Sequence, residues 1–159
     1  MAAGYGTATP QIVAPNQPII YIDNTCPCTQ GLIFKRAGGG VFLLASNAPS
    51  GNNCACGCRK VYLTNYEVET HSNIEIPTGG TVGEIRLAIA VDGIIDPESI
   101  MSYTPAAVET AGNVGTSIIV PVPSLCGCES IAVVNASTQD ITVNNSSIVF
   151  DYAGVRRIS

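Results

Sequence analysis

Charge is what this chain has least of. Asp, Glu, Lys and Arg make up 12% of its 159 residues, about half the usual share. It has no Trp, a single His (His71) and two Met. Its seven Lys and Arg form no patch beyond the pairs Lys35-Arg36, Arg59-Lys60 and Arg156-Arg157, and the formal charge is -5. Binding nucleic acid by neutralising phosphates needs a concentrated basic footprint, so no nucleic-acid partner is expected. No stretch approaches the ~18 apolar residues of a membrane span, so no membrane partner is expected either. Met1-Ala-Ala-Gly-Tyr-Gly6 lacks the charged start and apolar run of a secretory signal. A protein of this kind found outside a cell is expected to leave by lysis or by assembly into a particle.

What is present is apolar and rich in turns. Hydrophobic residues reach 46%, with 16 Gly and 10 Pro, enough for one domain with a core of its own. A surface this poor in Lys and Glu is unusual for a free monomer. It fits burial against copies or a larger particle; the alternative is a secreted domain coated in Thr, Ser and Asn.

Along the chain, residues 1–18 carry Pro10, Pro15 and Pro18 without periodicity and read as an extended N-terminal arm, with a domain over 19–159. From there the rhythm is strand, turn, strand. Short apolar runs lie at Pro18–Ile22, Leu32–Arg36 and Val41–Ala45, the last two around Gly38-Gly39-Gly40. Arg59–Thr70 sets Tyr62, Thr64, Tyr66, Val68 and Thr70 on one face and Asn65, Glu67 and Glu69 on the other. Glu84–Asp92 is the clearest strand, with Ile85, Leu87, Ile89 and Val91 as its core face and Asp92-Gly93 as its turn. Further strands are expected over Ser117–Val122, Ser130–Asn135, Asp140–Asn144 and Ser147–Tyr152. Only Pro105–Ala111 reads as helical. Eight to ten short strands without a βαβ rhythm mean an antiparallel β-sandwich or barrel.

Seven cysteines fall in three clusters: Cys26-Pro-Cys28, Cys54-Ala-Cys56-Gly-Cys58 and Cys126-Gly-Cys128. On an extended strand the two thiols of a C-x-C pair point the same way, and so small a ring strains a direct bridge between them. Each thiol can reach a second cluster instead. Disulfides between clusters come first, a structural Zn²⁺ held by thiolates second, because C-x-C departs from the usual zinc spacing. Reduced or redox-active cysteines come last, with Arg59 and Lys60 as the only activating charges nearby. No other cofactor is implied.

No catalytic motif is present. His71 reads as a surface or hydrogen-bonded residue, since nucleophilic catalysis needs a nucleophile and an acid brought to it. The acids Asp92, Asp96, Glu98 and Glu109 match no calcium loop and read as turn residues. Asn-x-Ser sequons begin at Asn135, Asn144 and Asn145 and matter only in a eukaryotic secretory pathway. An enzyme is not expected.

The run from Ile76-Pro-Thr-Gly-Gly to Ala90-Val-Asp-Gly93 resembles small proteins of Firmicutes and their prophages. So do Tyr103-Thr-Pro-Ala-Ala-Val-Glu109, Val120-Pro-Val-Pro, Cys126-Gly-Cys128 and Val133-Val-Asn-Ala-Ser137. The likeness covers roughly residues 28 to 157. Those proteins are similar in fold to the trimeric globular heads of the tumour necrosis factor and complement-collagen type. The resemblance implies an all-β, antiparallel jelly roll assembling as a homotrimer, with no catalytic residues. It implies a structural role in a bacteriophage virion, as a capsid decoration that docks on the major capsid protein or as a fibre knob. Two alternatives stand beside it: a disulfide-linked subunit of a bacterial surface or spore appendage, and a carbohydrate-binding surface module whose loops hold the sugar. Three cysteine clusters near one end of a jelly roll would give three bridges and one leftover thiol.

Overall fold

The computed structural model describes residues 2–26, 32–46, 62–123 and 128–157. In them the alternation of apolar and polar residues resolves into twelve strands. These are β1 (Ala2–Thr7), β2 (Gln11–Val13), β3 (Asp23–Cys26), β4 (Ile33–Lys35), β5 (Phe42–Leu44), β6 (Tyr62–Glu75), β7 (Ile85–Val91), β8 (Ile94–Ile95), β9 (Met101–Tyr103), β10 (Gly112–Pro123), β11 (Glu129–Asn135) and β12 (Ile141–Arg157). They form two antiparallel sheets. The first has the order β10-β6-β12-β1-β3, with β2 also paired to β12; the second has the order β4-β5-β11-β7-β8, with β9 also paired to β7. Neighbours in each sheet are mostly distant in sequence, and the result is the all-β antiparallel jelly roll expected.

Strand parity puts the core between the sheets. On β6, Thr64, Tyr66, Val68 and Thr70 are buried while Glu67 and Glu69 are exposed, as their alternation predicts. On β7, Ile85, Leu87 and Ile89 are fully buried, and so is Ala88 on the opposite face. Four rings fill the middle: Tyr5 lies 4.7 Å from Phe42, Phe42 5.0 Å from Phe150, and Tyr21 5.6 Å from Phe42, centroid to centroid. Burying an aliphatic or aromatic side chain of this size contributes about 1.5–3 kcal/mol, so these rings dominate the contact between the sheets. The buried phenol of Tyr21 hydrogen-bonds Ser146 at 2.9 Å, and Ser146 bonds Ser72 at 2.8 Å. Burial pushes the Tyr21 phenol up to about 12.

Three expectations change. The arm expected over 1–18 has its residues 2–7 in the first sheet as β1, paired with β12 from Ala2↔Asp151 to Thr7↔Ser146, and Gln11–Val13 also lies on β12 as β2. Ala3, Tyr5 and Thr7 are buried there, an alternation too short and too interrupted by Gly to read in isolation. The helix expected over Pro105–Ala111 is a turn: Glu109 adopts φ 57°, its amide donates to Ile76 O at 2.8 Å, and its carboxylate accepts from Thr78 Oγ1 at 2.7 Å. The two strands expected over Asp140–Asn144 and Ser147–Tyr152 are one long strand, β12, whose register shifts between Val143 and Asn145 and again between Tyr152 and Gly154. Pro18–Ile22 keeps its alternation, with Ile19 and Tyr21 buried and Ile20 and Ile22 exposed, but is held by isolated hydrogen bonds to Val133 and Gly39.

Candidate functional site

The outer face of the first sheet carries the densest set of polar side chains with spare bonding capacity. Antiparallel register sets His71 of β6 between Gly115 of β10 and Ser147 of β12. One row further, Asn73 faces Asn113 on one side and Asn145 on the other. The register shift before Asn145 leaves Asn144 as an extra residue; bulges of this kind re-aim side chains. Asn144 Nδ2 donates to Asn73 Oδ1 at 2.9 Å, and Asn73 Nδ2 donates to Asn113 Oδ1 at 2.8 Å. The relay spans three strands and ends with the Asn113 amide still holding donors to give.

His71 leans toward β10. Its Nε2 bonds Glu69 Oε1 at 2.7 Å, and its ring lies across Gly115. Bonding to a carboxylate assigns the proton of the neutral ring to Nε2 and leaves Nδ1 as an acceptor. Ser147 stands on the other side of β6, and no hydrogen bond joins it to His71. A Ser-His-Glu set is thus present in composition without the geometry that would activate the serine. Together His71, Asn113, Gly115, Asn145 and Ser147 line an open groove of about 540 Å³.

A second feature lies at the sandwich edge. In the turn between β7 and β8, Asp92 and Gly93 both take positive φ, 51° and 79°, as a two-residue hairpin requires. Asp92 Oδ1 accepts from the Ser130 amide at 2.8 Å, and the carboxyls of Asp92 and Glu129 hydrogen-bond each other. Sharing a proton with Asp92, partial burial and its neighbour's charge push Glu129 up to about 7, while that bond and the Ser130 amide hold Asp92 below its ordinary value. Beside the pair, Ile94, Pro97, Ile119 and Pro121 flank a groove of about 370 Å³, with Ile94 74% and Ile119 55% exposed. The sequence pairing of acids did not find Glu129; its partner Asp92 lies in a turn far back along the chain, and only the topology brings them together.

The other candidates fall as follows. Asp96 caps the short 3-10 turn Pro97–Ser99 by accepting from the Glu98 amide at 2.9 Å, so both are turn residues, as is Glu109. Asn135 is fully buried, and its Nδ2 donates to Val13 O and Gln139 O at 2.8 Å each, so this sequon is closed to modification. Cys28, Cys54, Cys56, Cys58 and Cys126 lie outside the described residues, as does the side chain of Cys26. Cys128 is a free, exposed thiol. Of the strand ends that bracket the clusters, Leu44 of β5 pairs with both Ile33 and Glu129 in the second sheet, Leu63 of β6 pairs with Pro123 in the first, and Cys26 closes β3 opposite Gly4. Among the described residues no three His, Cys, Asp or Glu side chains converge as a metal site would need.

No protein-family model and no curated protein matches the sequence. Solved structures do. The globular domain of zebrafish complement 1qA protein superposes with a TM-score of 0.56 at 8% identity, over 98% of each chain. The chain is similar to it in fold. Two family 35 carbohydrate-binding modules also match, more loosely. That of Clostridium thermocellum has a TM-score of 0.31 at 16% identity, over 89% of this chain and 98% of its own. That of Cellvibrio japonicus Abf62 has a TM-score of 0.36 at 13% identity, over 100% of this chain and 99% of its own. At such identities the complement domain establishes the jelly roll and nothing finer, and the two looser matches carry no further argument.

Proposed function

We propose that this chain is a non-catalytic structural module that assembles with copies of itself, as a trimer, and decorates a particle. The observation behind this is the apolar edge between β8 and β10. Ile94 and Ile119 are largely exposed there, with Pro97 and Pro121 beside them, in a chain with few charges to keep such an edge soluble. The part of the outer face around His71, Asn73 and Asn113 is polar, so the contact between copies is assigned to the edge at Ile94 and Ile119. A bacteriophage virion, as capsid decoration or fibre knob, is the setting suggested by the family resemblance of the sequence. The cysteine clusters add a reason for stability outside a cell: bridges among them would lock three connections at once.

Native mass spectrometry of the wild type and of Ile119→Lys tests the assembly. The wild type is expected as a trimer and the variant as a monomer; a wild type that is monomeric at about micromolar concentration, where obligate assemblies persist, overturns the reading. Denatured intact mass without reductant then sorts the settings. Loss of two hydrogens per bridge within single subunits supports the stapled particle component. Subunits covalently joined until reduced favour the appendage, and a mass excess of one metal per subunit on seven free thiols replaces the bridges with zinc.

A further inference from the structure

We propose that the groove over Gly115 on the outer face of the first sheet binds a neutral saccharide. His71, Asn113, Asn145 and Ser147 surround a floor made by Gly115, in a volume of about 540 Å³, within the range of small-molecule sites. No Lys or Arg lines it, which removes the attraction a phosphate or carboxylate ligand needs. No converging acids are present for a cation. The one apolar side chain at its edge, Val114, points into the core, so an aliphatic ligand gains nothing.

What remains is hydrogen bonding by neutral groups that donate and accept at once. The Ser147 hydroxyl and the Asn145 amide make no side-chain hydrogen bond among the described residues. The relay from Asn144 through Asn73 fixes the Asn113 amide by its oxygen, so its nitrogen is held in place with donors to spare. His71 is anchored by Glu69 and offers Nδ1 as an acceptor and an exposed ring face, the side chain being 64% exposed. A sugar hydroxyl also donates and accepts, and vicinal hydroxyls present that capacity in pairs. The amides of Asn113 and Asn145 and the hydroxyl of Ser147 match them, and the His71 ring, seated over Gly115, stands between the two strands as the surface a sugar would pack on. The anchored groups lose little freedom on binding, which favours affinity. A peptide would find no apolar pocket for its side chains here. The site is on the sheet face and does not depend on the edge contact between copies or on the cysteines.

The test is nuclear magnetic resonance titration of the intact, ¹⁵N-labelled protein with chitotriose, mannotriose, cellotriose and galactotriose, and with sialyllactose as an anionic control. Saturable shifts confined to His71, Asn113, Asn145 and Ser147 are expected with at least one neutral sugar, at a Kd of about 1 mM, the scale of a few net hydrogen bonds. The double variant Asn145→Leu/Ser147→Val, whose side chains point outward, should keep the wild-type spectrum elsewhere and weaken binding about tenfold or more. A single Asn113→Ala change, which leaves β12 untouched, should weaken it several-fold and serves if the double variant does not fold. Absence of saturable shifts with all four neutral sugars overturns the proposal, as does equal affinity in the folded variants or tighter binding of the anionic control.

Discussion

The imidazole of His71 occupies the space where a side chain at position 115 would be. A β-carbon on Gly115 would collide with Nδ1 and Cε1 of that ring, so the groove's wall and floor are set by one pair of residues on adjacent strands. Gly115→Ala is therefore expected to swing the ring away, break its bond to Glu69 and fill the floor. Because the ring is exposed and its one hydrogen bond is to an exposed carboxylate, the fold should lose no more than about 1 kcal/mol. The check is the His71 ring resonances together with a thermal melt: displaced resonances with a nearly unchanged Tm are expected, and unchanged resonances would show that the ring does not lie there.

Much of this frame was legible in the sequence. The inward face read over Thr64–Thr70 and at Ile85, Leu87 and Ile89 is the buried one, because a two-residue period fixes which side chains meet the core, although Ala88 and Ala90 on the other face of β7 are buried as well. What the sequence hid depends on partners far along the chain. Gly4, Tyr5 and Gly6 look like a loose arm until β12 supplies a ladder. Asn144 and Asn145 read only as sequons, since nothing local says that a bulge sends one to Asn73 and the other to the groove. His71 reads as an ordinary surface histidine, and only the register with Gly115 and Ser147 gives it neighbours.

The Asp92–Glu129 pair predicts a pH dependence of stability. Glu129 is pushed up to about 7 from an ordinary 4.5. A carboxyl raised in the folded state binds its proton more tightly there, so its contribution is complete below about 4.5 and is lost as pH rises to about 7. Asp92 is held below its ordinary value and works in the opposite sense, at lower pH, as its own carboxylate takes up a proton. Asp92 is exposed and Glu129 only half-buried, so solvent screening keeps the effect small. Denaturant unfolding at pH 5 and pH 8 should show a wild type more stable at pH 5. Glu129→Gln, which keeps a donor toward Asp92, should narrow that difference; an equal difference in the variant would mean that other groups carry it.

Thr7 gives a prediction in the stabilising direction. Its side chain is buried in β1, and Oγ1 has no hydrogen-bond partner. A buried polar atom left unpaired costs about 1–3 kcal/mol, and Val has nearly the same shape with higher affinity for a strand. Thr7→Val is expected to raise stability by about 1 kcal/mol, or a few degrees in Tm. Calorimetry decides it, and a lowered Tm would mean that Oγ1 has a partner after all.

Asn135 makes the opposite case, a buried polar group with its bonds made. Its Nδ2 ties Val13 of β2 and Gln139 of the turn before β12, and its Oδ1 accepts from the Ser137 amide at 2.8 Å. The side chain therefore joins β11 of the second sheet to β2 of the first and shapes the connection to β12. Asn135→Ala leaves two carbonyls and one amide to find other partners in a buried setting, which should cost roughly 3 kcal/mol. Asn135→Asp keeps the shape and the acceptor but sets a carboxylate against two carbonyl oxygens, so its loss should be as large at neutral pH and smaller in acid, where the protonated carboxyl can donate to one of them. Denaturant unfolding of both variants at pH 4 and pH 7 measures this. A loss for the Asp variant that does not depend on pH would show that Asn135 serves by its volume and not by its hydrogen bonds.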